Sequence, residues 1–277
     1  MSRPRITVLM YHALVEQPAA DIHPVHIEVA LFARHLAWLH ARGYKAITAP
    51  DLYASLAAKQ FPAKTVVITF DDGYLSLLRW AAPLLSRYGF PATLFLTTGY
   101  VGRPDYSGAP AAFAQAAPPG DRPLTWAEVA ALRAAGWSIQ AHSRTHRAHA
   151  ALPDEELHQE LAQSQQLIES QLGSRPAFYA FPFGSYDRRA LRALGRTGYQ
   201  AGFSVHGGQV GRGSDLRRLP RIELNTSSEL SVFEKLMLTG YGSALEEYRA
   251  RLRDALFYFP LLKDGIQQLT AFARQRS

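Results

Sequence analysis

The stretch "TVVITFDDGYLS", residues 65–76, decides how the rest of the chain is read. Its first six residues are apolar or β-branched without polar alternation, the pattern of a strand covered on both faces in a parallel sheet. The run ends in two adjacent carboxylates, Asp71 and Asp72, and then Gly73. Two like charges at a buried strand end repel each other and lose hydration, so something there must compensate. Consecutive strand residues point to opposite faces. Both carboxylates reach one site only if the chain turns, and Gly73 permits that turn.

Working outward, similar short runs occur at 6–10, 44–48, 92–97, 137–141, 177–181, 200–204 and 218–224. Helical patterns lie between them. Residues 31–43 place Phe32, Leu36 and Leu39 on one face and stop at Gly43. Residues 125–136 open with a capping box, Thr125 to Glu128, and end at Gly136. Residues 154–173 carry acids in the first turn, Leu157, Leu161 and Ile168 at helical spacing, and a terminal Gly173. This alternation predicts an α/β fold with a mostly parallel sheet, and seven or eight such units close a barrel. An open doubly wound sheet is the competitor, but the first strand runs into "MYHALVE" rather than a glycine-rich turn. In either architecture ligands gather at the C-terminal strand ends.

The bulk properties set the outer bounds. With 277 residues, 47% of them hydrophobic, the chain can bury one sizeable core in one or two domains. The net charge of +7 comes from scattered basic residues, which points to a solvated surface rather than a nucleic-acid site. There is no cysteine, hence no disulfide, thiolate metal site or cysteine nucleophile. The apolar part of the N-terminus, "ITVLM", is too short for a signal-peptide core, and no window approaches the roughly 20 apolar residues of a membrane span. The expectation is a cytoplasmic protein. Residues 100–123, rich in Gly, Pro and Ala, read as an irregular loop on the ligand-binding rim.

The polar residues after each strand form a set: His12 after the first, Asp71 and Asp72 after the third, His142 and His146 in "AHSRTH" after the fifth, and "PFGSYD" after the sixth. Two histidines four apart on one helical turn face the same side. With a carboxylate from a neighbouring strand end they make two imidazoles and one acid, a set that leaves coordination positions open on a divalent ion. One aspartate would bind the metal and the other would serve as a base. Alone, H-x-x-x-H or Asp-Asp-Gly is a weak signal, because surface spacing or a turn explains either. Their joint occurrence at separate strand ends is far more specific. The same ligand set also suits a non-haem iron oxygenase, although such chemistry has no use for the second aspartate.

"TFDDG", "HSRTH" and "FPFGSYD" resemble successive motifs of the polysaccharide deacetylases, the NodB-homology domains of carbohydrate esterase family four, and the resemblance runs from about Ile6 to Leu224. It implies a distorted (β/α) barrel and metal-dependent removal of acetyl groups from sugars. The whole of 1–277 is then one catalytic domain, with about 228–277 as a helical extension packed on the barrel. The implied cofactor is a divalent metal, Zn2+ first, with Co2+ and Ni2+ also fitting. The implied partner is an acetylated saccharide or glycolipid; the scattered charge excludes nucleic acid as an expectation, and "ALFYFPLL" in the tail leaves a partner- or membrane-facing role as the alternative to packing on the barrel.

Carried over by motif, Asp71 resembles the general base, and Asp72, His142 and His146 resemble the metal triad. Pro182, Phe183, Gly184 and Tyr186 fall in the groove-wall motif, with the Phe183 backbone N–H where the family donates to the oxyanion. Ala180 and Phe183 stand where many members have arginine and tyrosine, so the ion pair to the base is missing from this motif. Arg221 in "LPRIEL" is the candidate replacement. No late Leu-x-His motif is evident. Instead "VLMYHALV" resembles the N-terminal motif of a subgroup containing poly-N-acetylglucosamine deacetylases, which places the general acid on His12, with His206 in reserve. The altered third motif also leaves room for a catalytically inactive glycan-binding barrel.

The remaining histidines have plainer readings: His23 and His26 as surface residues, and His35, His40, His149 and His158 as solvent-facing. Trp38, Trp80, Trp126 and Trp137 are expected in the core, although an aromatic on the rim can stack on a sugar ring. Asp187 reads as a helix N-cap.

Overall fold

The computed structural model describes residues 5–17 and 23–258. Among these, the strands are β1 (Thr7–Tyr11), β2 (Leu14–Val15), β3 (Ile27–Glu28), β4 (Lys45–Ile47), β5 (Thr65–Asp72), β6 (Thr93–Leu96), β7 (Ser138–Ala141), β8 (Phe178–Ala180), β9 (Ala201–Phe203) and β10 (Ile222–Glu223). The helices are α1 (Val29–Ala41), α2 (Ala49–Ala57), α3 (Ala82–Ser86), α4 (Ala111–Ala114), α5 (Trp126–Ala134), α6 (Asp154–Leu172), α7 (Arg188–Arg196), α8 (Leu230–Thr239) and α9 (Ala244–Tyr258). Of the segment expected as a strand at 218–224, only the two residues of β10 pair regularly.

β10, β1, β5, β6, β7, β8 and β9 follow one another in a parallel sheet, and β4 pairs with the first half of β5 before β6 takes over at Thr69. The curl closes through one segment. Leu219 bridges Phe203 of β9, and three residues later Ile222 pairs with Leu9 of β1. Residues 219–223 therefore join the two ends of the sheet, giving the distorted α/β barrel that the strand–helix alternation predicts.

Strand alternation sorts the side chains into two layers. Val8, Val67, Phe95, Ala180 and Phe203 fill the inner cluster, whereas Leu9, Ile68, Phe70 and Leu94 meet the helices. Phe32, Leu36 and Leu39 of α1 and Leu157, Leu161 and Ile168 of α6 are buried against that outer layer. Each such side chain contributes roughly 1.5–3 kcal/mol of burial energy. α6 ends as its sequence requires, with Gly173 at φ 68°. Trp38 and Trp137 are buried, while Trp80 and Trp126 are only partly covered.

Three histidines depart from their expected surface positions. His35 lies on the same helical face as Phe32, Leu36 and Leu39. It is fully buried between the Tyr11 hydroxyl (3.1 Å) and the Ser228 carbonyl (2.8 Å), and its ring stacks at 4.0 Å on Phe233 of α8. Burial lowers its pKa to about 4 even though the Ser228 bond opposes this, so the ring is neutral at pH 7. His149 is buried too, donating from Nδ1 to the Arg147 carbonyl and meeting the Tyr179 hydroxyl at 2.5 Å. His26 is buried against the Ala116 carbonyl. Reading histidine as simply polar hides all three, because one ring nitrogen satisfied by a carbonyl makes it a core residue.

The loop at 100–123 also proves more ordered than its composition implies. It contains α4 and buries Tyr106 and Phe113 beside Tyr100 and Tyr74. Its return is pinned where Leu75 N–H donates to Arg122 and Leu124 N–H to Gly73. Among the described residues no helix is long and apolar enough to cross a membrane. The tail expected as amphipathic helices contains α8 and α9, and its residues 259–277 lie outside the described residues.

The expected capping box forms at α5: Thr125 accepts from Glu128 N–H, and Glu128 accepts from Thr125 N–H while pairing with Arg122 at 2.7 Å. The Arg122 hydrogen bonds, set against burial and helped by Thr125, lower the Glu128 pKa to about 2. Its folded-state pKa is depressed, so its stabilisation is fully present above the unfolded value and is lost as pH falls toward 2. We predict a Glu128→Gln deficit on the order of 1 kcal/mol above pH 5, shrinking steadily on acidification. Urea midpoints of both proteins across that range check this.

Candidate metal centre and active site

The site sits on the C-terminal ends of β1, β5, β7 and β8. β5 stays in register with β6 through Asp72, whose partner is Leu96. The turn falls on Asp72 itself, at φ 74°, with Gly73 following at φ 100°. Asp71 keeps the inward orientation of Val67 and Thr69. Asp72, which strand alternation would send outward, is swung back by its left-handed backbone. Both carboxylates thus face His142, whose Nε2 is 3.7 Å from an Asp71 oxygen and 3.6 Å from Asp72 Oδ1.

His142 and His146 do meet, but not on a helical turn. Residues 142–146 form an irregular loop with Ser143 at φ 69° and His146 at φ 58°. The loop is pinned from three sides. Thr98 N–H donates to the Ser143 carbonyl at 3.2 Å and Gly99 N–H to that of Arg144 at 2.7 Å. The Ser143 hydroxyl accepts from His146 N–H at 2.8 Å. From α6, the buried Glu160 accepts from the N–H groups of Arg144 (2.9 Å) and Thr145 (2.8 Å) and from the Thr145 hydroxyl. The His146 ring is stacked on Phe113 at 4.1 Å and edged by Phe183 at 4.5 Å.

Asp72 Oδ1, His142 Nε2 and His146 Nε2 form a triangle with sides of 3.2, 3.3 and 3.6 Å. Ligands about 2.05 Å from a tetrahedral Zn2+ stand roughly 3.3 Å apart, so the three atoms have the spacing of one face of such a site. Their chemistry agrees. His142 Nδ1–H donates to the Ala180 carbonyl at 2.8 Å, which leaves Nε2 as a bare lone pair. Asp72 Oδ1 is buried and takes no well-aligned hydrogen bond. Burial, only partly offset by the Asp71 carboxylate, brings the His142 pKa down to about 4 and keeps it neutral. Burial alone would raise the Asp72 carboxyl. The His146 imidazole, followed by His12 and His142, outweighs that effect and holds it far below the usual range. His146 Nδ1 is buried without a partner, and with its proton on that atom the ring adds a third lone pair at Nε2, so the three atoms fit a divalent cation.

Arg221, fully buried in the barrel-closing segment, grips Asp71 with both terminal nitrogens at 2.7 and 2.8 Å. Its Nε–H donates to the Ser204 carbonyl at 2.9 Å, and the guanidinium lies over Phe95. Burial would raise the Asp71 carboxyl, but Arg221, with His142 and His12, holds it below the ordinary range. His12 is close enough to bias both aspartates, and its Nδ1 is buried without a hydrogen-bond partner.

Pro182 is buried, and Phe183 is half exposed at φ 55° beside the triad. Gly184 is needed where it stands, because a Cβ there would lie 2.3 Å from Val205. Tyr186 packs on Phe181, His206 and Phe257, and with His206 it lines a separate cleft of about 210 Å³. Asp187 caps α7 through Ala190 N–H at 2.8 Å. Two contributors escape the sequence reading, Glu160 and Phe113. An acid beside Leu157, Leu161 and Ser164 on the buried face of α6 is the available signal for Glu160. Phe113, in an alanine-rich loop, carries none.

A carboxylate held by a buried arginine beside a three-ligand pocket, all at the mouth of a parallel α/β barrel, belongs to metal-assisted hydrolases as a class. More specifically, the chain belongs to the polysaccharide deacetylase family, whose pattern it matches over residues 58–202, just over half its length. It is 26% identical over 230 residues to YxkH of Bacillus subtilis (strain 168), assigned by name to those deacetylases, covering 83% of this chain and 75% of that one. It is 23% identical over 254 residues to the poly-β-1,6-N-acetyl-D-glucosamine N-deacetylase of Escherichia coli (strain K12), covering 81% of this chain but 37% of that protein. Among solved structures, the Streptococcus pyogenes deacetylase PplD in complex with acetate superposes with a TM-score of 0.74 at 24% identity, over 87% of this chain and 100% of that one. IcaB from Ammonifex degensii gives 0.70 at 22% identity, over 86% and 97%.

Glu160→Ala strips two backbone N–H groups and a hydroxyl of their acceptor, and Gly99→Ala sets a Cβ 2.5 Å from the Arg144 carbonyl oxygen. Both are expected to weaken Zn2+ affinity about 10–100-fold, read by competition against a chromogenic chelator. Arg221→Met leaves Asp71 charged, buried and unpaired, and is expected to cost about 3–5 kcal/mol in chemical unfolding. Adding Asp71→Asn should recover most of that loss.

Proposed function

We propose that the protein is a divalent-metal-dependent deacetylase that hydrolyses the N-acetyl group of an amino sugar within a glycan of the poly-β-1,6-N-acetyl-D-glucosamine type. The observation carrying this reading is the bidentate Arg221–Asp71 pair beside the Asp72, His142 and His146 triangle. It supplies a charged base next to a ligand set, a combination an oxygenase or a binding-only barrel has no use for. The relatives named as poly-β-1,6-N-acetyl-D-glucosamine N-deacetylases support the choice of substrate.

Zn2+, or Co2+ or Ni2+, held by Asp72, His142 and His146 would supply Lewis acidity toward the acyl oxygen and acidify water. Asp71 accepts a proton from the water as its oxygen bonds to the acetamide carbon. Arg221 keeps Asp71 ionised and aimed. The Phe183 backbone N–H donates to the oxygen as negative charge develops on it. The sugar nitrogen leaves only once protonated, and His12, at the end of the neighbouring β1, gives it that proton as the C–N bond breaks. The products are acetate and a free amino sugar.

Acetate release from β-1,6-linked N-acetylglucosamine oligomers should cease in excess chelator and return with added Zn2+. Asp71→Asn should retain the metal while turnover falls about 10²–10⁴-fold. Undiminished acetate release in that variant overturns the assignment of the base.

A further inference from the structure

Phe183 at the metal-binding site apart, the large apolar side chains left exposed among the described residues all lie on α8 and α9. They are Val232 and Leu238 on α8, and Leu245, Tyr248 and Leu252 on α9. Scattered singly, such side chains mean nothing; gathered on consecutive helices they mark a surface that something covers.

The face that α9 turns outward is fixed by its ends. At its start the Ser243 hydroxyl accepts from Glu246 N–H at 3.1 Å, and the Glu246 carboxylate accepts from Gly242 N–H at 2.8 Å. Near its end Arg188 donates to the Phe257 carbonyl at 2.8 Å, and Arg218 lies 4.4 Å above the Phe257 ring. Phe257 and the buried Ala250 are two turns apart, so they define the packed side. Leu245, Tyr248 and Leu252, three and four residues apart, form one stripe on the opposite side.

The charges are sorted about that stripe. Arg249 borders it, exposed and without an ion pair among the described residues, and position 251 on the other flank is also an arginine. Glu246 and Glu247 fall nearer the packed side. On α8, the exposed Lys235 stands three residues from both Val232 and Leu238. Pairing with a second copy along this stripe would set arginine beside arginine, which like charge opposes. An anionic lipid surface suits both parts: the stripe enters the acyl boundary while the guanidinium groups reach the headgroup phosphates. The net charge of +7 adds attraction at longer range.

We propose that α9, aided by the exposed face of α8, docks the protein on an anionic lipid surface, with Leu245, Tyr248 and Leu252 inserted and Arg249 on the phosphates. The helix lies in the interface and does not cross it. It contributes no ligand to the Asp72, His142 and His146 site, so lipid binding is separable from hydrolysis.

The test is co-sedimentation of the full chain with phosphatidylcholine vesicles containing about 30% phosphatidylglycerol, set against phosphatidylcholine alone. The wild type should bind the mixed vesicles about tenfold more tightly than the neutral ones and come off as salt is raised. Leu245→Ser and Tyr248→Ser, at exposed positions outside the core, should each weaken binding to the mixed vesicles about tenfold. Arg249→Gln should weaken it about fivefold. No binding by the wild type, equal binding to both vesicles, or equal binding by wild type and variants overturns the proposal. A wild type that is dimeric without lipid, and becomes monomeric in Tyr248→Ser, overturns it too, because the stripe then belongs to a second copy.

Discussion

The pairing of Asp71 with Arg221 is the interaction on which the site depends. An ionised carboxylate at the top of an apolar barrel loses its hydration, and the bidentate guanidinium restores most of what is lost. That arginine also closes the barrel: it precedes β10 by one residue, and its Nε–H reaches back to the carbonyl of Ser204 just beyond β9. Closure of the sheet and orientation of Asp71 are therefore a single structural event. With Asp71 neutralised by Arg221, Asp72 is left to face the imidazoles of His142 and His146.

Backbone strain marks the same place. Of six non-glycine residues in the left-handed region among the described residues, four lie at the site: Asp72, Ser143, His146 and Phe183. Each costs on the order of 1–3 kcal/mol unless the surroundings over-determine it, and here they do. Glu160, Ser143 and Gly99 fix the histidine loop, and Phe113 and Phe183 hold the His146 ring from two sides. Three potential ligand atoms are gathered 3.2–3.6 Å apart. The rigidity of the surrounding shell keeps them assembled, which lowers the ordering cost of binding an ion.

The alternation of strands and helices was legible because parallel strands buried on both faces leave unbroken apolar runs, and β5 shows this from Thr65 to Phe70. The convergence of Asp72, His142 and His146 was legible because strand ends in this architecture converge, so residues after different strands become neighbours. The conformation of the histidine loop was not. Spacing of four permits a helical turn, and only the tertiary bonds to Thr98, Gly99 and Glu160 impose the irregular path. His35 and His149 were misread for a related reason: burial of a histidine depends on a partner distant in sequence, Ser228 for the first and Tyr179 for the second. Residues 100–123 hid their order behind small side chains, because Tyr106 and Phe113 acquire partners only when the loop folds over Tyr74 and His146.

His12 and Arg221 lie outside the span that matches the family pattern, yet they flank the aspartate within it. The sheet order explains how. β1 and β10 are adjacent, and β1 lies directly against β5, so the first and last strands of the barrel stand on the same side of Asp71. Ala180, at the end of β8, stands where the third motif leads one to expect an arginine. Here Ala180 contributes only a carbonyl, to His142. Beyond β8, Phe183 with its half-exposed ring borders His146. The wall beside His146 is apolar, built from Phe183 and, out of the 100–123 loop, Phe113.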